Sequence, residues 1–123
     1  MKKKELQDLL LISQLKFDHA CRDMAKVTAA EAELRQGLQS LADQQSEIDR
    51  QLTDDLSIRT TLKDGVLLRS RNARMARDIT SDLSKIMQQK LAMISDVQKA
   101  FGRLDAMKSV ENDFHRSRRN TGQ

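Results

Sequence analysis

Proline, tryptophan and tyrosine are missing from this chain, cysteine occurs once, phenylalanine three times and glycine four times. Each shortage excludes something. Three phenylalanines supply too few large apolar groups to fill the interior of a compact globule. One thiol, Cys21, cannot close an internal disulfide, which fits a reducing compartment. No apolar run approaches the roughly 20 residues of a membrane-crossing helix; the longest, Leu9 to Ile12, gives way to Ser13 and Gln14. Lys2, Lys3 and Lys4 look like the basic flank of a signal peptide, but the apolar stretch after them is too short and no small-residue cleavage site follows. The expected location is cytoplasmic.

What remains is charge and helix formers. Charged residues make up 33% of the chain, yet the net charge is only +4. High charge with low hydrophobicity is also the composition of disordered chains, but those favour Pro and Gly, whereas Ala, Leu, Glu, Lys, Arg and Gln dominate here. Long helices are the better expectation.

Stepping four and three residues alternately from Leu6 gives Leu10, Ser13, Phe17, Ala20, Met24, Val27, Glu31, Leu34, Leu38, Leu41, Gln45, Ile48 and Leu52, apolar except at Ser13, Glu31 and Gln45. A second register runs Ala76, Ile79, Leu83, Ile86, Lys90, Met93, Val97, Ala100, Leu104, Met107, Glu111, Phe114, apolar except at Lys90 and Glu111. A spacing averaging 3.5 residues is the coiled-coil seam. Between the blocks the stripe fails amid Thr53, Asp54, Asp55, Ser57, Thr60, Thr61 and Asp64-Gly65, residues that compete with helix or favour turns. The reading is all-α: one antiparallel coiled-coil hairpin over 1–123, with helix 1 over about 5–54, a turn region over about 54–65, helix 2 over about 66–115 and a basic tail over 116–123.

Charge favours a hairpin over a straight rod. Asp43, Glu47, Asp49, Asp54 and Asp55 precede the break, and Arg69, Arg71, Arg74 and Arg77 follow it; folding back sets one run against the other. Pairing with those acids is the plain role of the arginines, with Arg71 and Arg74 as candidates for a second docking face. Leu9, Ile12, Met87, Leu91, Ile94 and Phe101 fall off the seam, which a single partner helix cannot cover, so either a homodimer or another protein's groove is expected there.

Catalytic chemistry is not visible. A thin two-helix body offers no interior in which to desolvate titratable groups, and there is no phosphate-binding Gly loop, HExxH or CxxC. His19, Cys21 and His115 would come near one another in a hairpin, but helical metal ligands need spacings of three or four, which 19 and 21 lack. No enzyme activity, cofactor, metal or small-molecule substrate is expected. The whole basic excess sits at Lys2, Lys3 and Lys4 and at Arg116, Arg118 and Arg119, which the hairpin brings to one pole. Frayed solvated ends, nucleic-acid binding and an acidic protein socket compete for it; without an aromatic platform or wider basic face, nucleic acid is the weakest of them.

A chain opening on Leu6-Gln7-Asp8-Leu9, running through Ala32-Glu33-Leu34-Arg35-Gln36 and Ala42-Asp43-Gln44-Gln45, folding back and ending in a short basic tail resembles the FliJ family. Its members are stalk components of the bacterial flagellar and related type III protein export apparatus. The resemblance implies a non-enzymatic, chaperone-like cytoplasmic stalk whose chain ends dock on and regulate a hexameric export ATPase. It implies further contacts with the export gate and with escort chaperones, and membrane association only through that apparatus. Position and charge alone nominate Lys2, Lys3, Lys4, Arg116, Arg118 and Arg119 as the partner-binding residues. The other reading is a generic self-associating coiled-coil scaffold or adaptor.

Overall fold

The computed structural model describes the backbone of residues 2–54 and 59–121 and the side chains of 2–53 and 63–119. It contains two helices, α1 over Lys3–Asp54 and α2 over Arg59–Thr121, and no strand among the described residues. The helices pack on each other as a helical hairpin. None is long and apolar enough to cross a membrane. Contacts divide the chain into two units. The terminal unit holds residues up to Val27 together with those from Gln89 on, and the middle unit runs from Thr28 to Gln88.

In the terminal unit Phe17 meets Phe101, ring centroids 5.8 Å apart, while Leu10 and Leu11 lie beside Lys108 and Ala20 beside Met93. Residue numbers fall in α2 as they rise in α1, so the pairing is antiparallel. The same holds in the middle unit, where Gly37 faces Ile79 and Leu52 faces Gly65. Every residue of both expected seams is buried or half-buried, and the most buried apolar side chains, Leu6, Val27, Leu41, Leu83 and Leu104, are all seam positions. Burying one such side chain contributes about 1.5 to 3 kcal/mol, which is what holds two helices with so little interior together.

Two boundaries differ from the expectation. α2 begins at Arg59, so Asp64-Gly65 lies inside a helix, and no described residue has positive φ. α1 ends at Asp54 and α2 begins at Arg59; Asp55 and Ser57, which the turn reading invoked, lie outside the described residues. Gly65 serves packing instead: a Cβ there would sit 2.7 Å from Leu52 Cδ1, so the missing side chain is the space Leu52 fills. The second difference is at the other end, where α2 continues through Arg116, Arg118 and Arg119 to Thr121, and the expected tail is helical that far. Arg118 and Arg119 occupy the last turn, whose partial negative charge favours cations and extends the helix.

Gly102 marks the contrary case. A Cβ added there meets nothing within 4 Å, so Gly102→Ala should raise stability by about 1 kcal/mol through helix propensity alone, read as a higher denaturation midpoint with unchanged m-value.

Candidate functional site

The six nominated cations all belong to the terminal unit and are all exposed. Lys2 precedes α1; its carbonyl accepts from Leu6 N–H at 3.1 Å and its own N–H donates to Glu5 Oε2 at 3.4 Å. Lys3 and Lys4 stand in the first turn, where the unpaired helix N–H groups already carry partial positive charge. Only Glu5 complements that charge; the lysines oppose it. The arginines are placed favourably by the same rule, at the negative end of α2. Thus the helix ends account for the arginines and leave the three lysines without a structural reason.

Arg116 and Arg119 are drawn together with His115 and Asn112 around a hollow of about 370 Å³. Spacings of three and four put these four side chains on one face of α2. Arg118 does not line the hollow. His115 Nε2 lies 3.4 Å from Glu111 Oε1, and its ring meets Phe114 edge-on at 6.2 Å. Sequence reasoning nominated the arginines but not Asn112 or His115; the signal was present in the spacing 112, 115, 116, 119.

Among the described residues of the middle unit the opposed charge runs meet in one cross-helix contact, with Arg69 Nη2 donating to Asp49 Oδ1. The Arg69 hydrogen bond, and then that of Gln45 Nε2, hold the Asp49 carboxyl below the ordinary aspartate range. Glu47 turns along its own helix instead: Arg50 Nη2 reaches its Oε1 at 2.7 Å, lowering the Glu47 carboxyl and raising the Arg50 guanidinium. Arg77 Nε donates to Ala73 O at 3.4 Å. Among the described residues Arg71 and Arg74 have no acidic partner, so the expected pairing of the whole arginine run reduces to Arg69. These are exposed ion pairs, whose main effect is to favour this register over alternatives rather than to add much stability. Among the described residues the buried polar side chain is Asn72, whose Nδ2 donates to Gln45 Oε1 at 3.4 Å. Small Ala42, Ala73 and Ala76 beside that pair leave a hollow of about 430 Å³.

Among the described residues no group of three or more His, Cys, Asp or Glu gathers as a metal site would. His19 pairs with Asp23 at 3.3 Å, and Cys21 is half-buried. Several large apolar side chains, in contrast, lie open: Leu9, Leu11, Ile12, Leu15, Leu91, Phe101 and Val110 in the terminal unit alone. Leu11 and Leu15 are additions to the sequence reading, found four residues apart on α1 away from the seam. Comparison with protein-family models, curated proteins and solved structures gives no match.

Proposed function

We propose that this chain is a non-enzymatic, cytoplasmic docking protein, a stalk-like and chaperone-like component of a bacterial flagellar or type III export apparatus that binds and regulates a hexameric export ATPase. One observation carries the docking part of the reading. Lys2, Lys3 and Lys4 crowd the positive end of α1, where they cost the helix stability, and the same unit holds Arg116, Arg118 and Arg119. A cluster that opposes its own helix is best accounted for by a partner, and its sign calls for an acidic or carbonyl-rich socket. The export apparatus as the setting rests on the sequence resemblance, which also names the export gate and escort chaperones as further partners.

The test is co-sedimentation with a flagellar-type export ATPase from the same organism, together with its ATP hydrolysis rate. Lys2→Gln, Lys3→Gln and Lys4→Gln combined should weaken binding at least tenfold, mostly through a slower on-rate, and flatten its salt dependence. A wild-type chain that leaves the ATPase unbound refutes the export reading; equal binding by the triple variant refutes the placement of the contact.

A further inference from the structure

Early in α2, within the middle unit, Gly65 faces Leu52 and Ile79 faces Gly37, and Asn72 between them bonds to Gln45 of α1. Positions 65, 72 and 79 therefore mark the side of α2 turned toward α1. Each residue turns a helix by about 100°, so positions two places from these point away from α1. Lys63, Leu67, Ser70, Arg74 and Arg77 stand there, and all are exposed. Val66 flanks the row beside Ser70, and Arg71 flanks it beside Leu67 and Arg74. Val66 and Leu67 are each 60% exposed. Lys63, Arg71 and Arg74 have no acidic partner among the described residues, and Arg77 turns its Nε to Ala73 O of its own helix. Of the two acids in this stretch, Asp64 lies against Gln51 and Leu52 of α1, and Asp78 borders the row at its Arg71 edge. The outward side of α1 leans acidic instead: by the same two-place rule Asp43 and Glu47 stand there, past Leu41 and Gln45, with Arg50 held to Glu47.

We infer that this face of α2 lies on an anionic lipid bilayer, with Lys63, Arg71, Arg74 and Arg77 at the level of the headgroup phosphates and Val66 and Leu67 dipping below them. The contact is direct and does not depend on the export reading. Charge picks an acidic surface, since cations without acidic partners gather here and guanidinium groups donate in pairs to phosphate oxygens. The apolar pair picks a bilayer among acidic surfaces. A partner helix needs apolar residues recurring at three and four along a stripe; here the steps on from Val66 and Leu67 arrive at Ser70, Arg71 and Arg74. A nucleic acid would meet the cations and leave Val66 and Leu67 in water. A headgroup layer takes both, because basic side chains reach its phosphates while the apolar ones enter the acyl boundary. Asp43 and Glu47 of α1 then face away from the membrane, which fixes the side that goes down.

Co-sedimentation of the full chain with vesicles tests this without any other protein. Phosphatidylcholine vesicles containing about one-third phosphatidylserine should pellet the wild type, and phosphatidylcholine alone should not. Arg71→Gln with Arg74→Gln should weaken binding at least about tenfold, and Val66→Gln with Leu67→Gln at least about fivefold. Helix content by circular dichroism should stay unchanged in both, because these side chains lie outside the seam. Lys2→Gln, Lys3→Gln and Lys4→Gln combined should change vesicle binding less than about threefold. The chain has no tryptophan, so Leu67→Trp introduces a single indole whose emission should shift to the blue on anionic vesicles. A wild-type chain that ignores those vesicles overturns the inference. So does a loss confined to the three-lysine variant, full binding by the Val66/Leu67 variant, an unmoved Leu67→Trp emission, or duplex DNA that binds the wild type as tightly as the vesicles do.

Discussion

Leu104→Asp unfolds the chain. Leu104 is 3% exposed in a seam whose fully buried members are few, so the substitution removes one of the main apolar contributions and leaves a carboxylate without a partner in its place. Truncating such a leucine to alanine costs about 2 to 5 kcal/mol, and the unpaired charge adds to that unless it is protonated. Against a native margin of about 5 to 15 kcal/mol, a body with this little interior has small reserve. Far-UV circular dichroism should show the helical signal lost or the melting transition lowered below room temperature. Arg103→Asp, one residue away and exposed, should stay within about 0.5 kcal/mol of wild type. Equal effects at 103 and 104 would put the seam in the wrong place.

Gly65→Leu should be the next most damaging change, although α-helix propensity alone favours it. The gain in propensity is worth about 0.8 to 1 kcal/mol. Leu52 Cδ1, Cδ2 and Cγ, however, lie 2.7, 3.0 and 3.2 Å from where the Cβ must go, so the whole isobutyl group has to leave, not one methyl. Overpacking of that kind costs about 1 to 3 kcal/mol. The diagnostic is a double-mutant cycle with Leu52→Ala, which vacates the space the new side chain needs. The two changes together should be less destabilising than the sum of each alone, by more than about 1 kcal/mol. Additive effects would mean that Leu52 and Gly65 do not meet, and that the Asp64-Gly65 pair acts as a turn after all.

The seam was legible from Leu6 to Leu52 and from Ala76 to Phe114 because an apolar spacing of 3.5 residues has one structural solution, two helices wound on a common stripe. The stretch before Ala76 was not. There the helix is lined by Gly65, which read as a turn former, and by Asn72, which lies outside the apolar register. Each is buried for a reason that belongs to the opposite helix: Leu52 needs a gap, and Gln45 needs a partner. Local preference was overruled by packing that single-helix patterns do not carry. The charge runs were legible as attraction but not as pairing: among the described residues Glu47 takes Arg50 of its own helix, and Arg69 crosses to Asp49. For the nominated cations, position and sign were legible. What the sequence hid is that Lys3 and Lys4 stand against their helix dipole while Arg118 and Arg119 stand with theirs, which depends on where the helices begin and end.

In the middle unit the cross-helix contacts form a ladder of growing chain separation: Arg69 to Asp49 spans 20 residues, Asn72 to Gln45 27 and Arg35 to Met87 52. Closing a loop costs about 0.6 kcal/mol more for each doubling of its length, so forming the widest rung first is dearer than reaching it rung by rung. This unit therefore closes as a zip does, from Leu52 and Gly65 outward. The order gives the Gly65 substitution a second signature, in time: because it spoils the contact made earliest, Gly65→Leu should appear in stopped-flow traces mainly as slower folding, with the unfolding rate little changed.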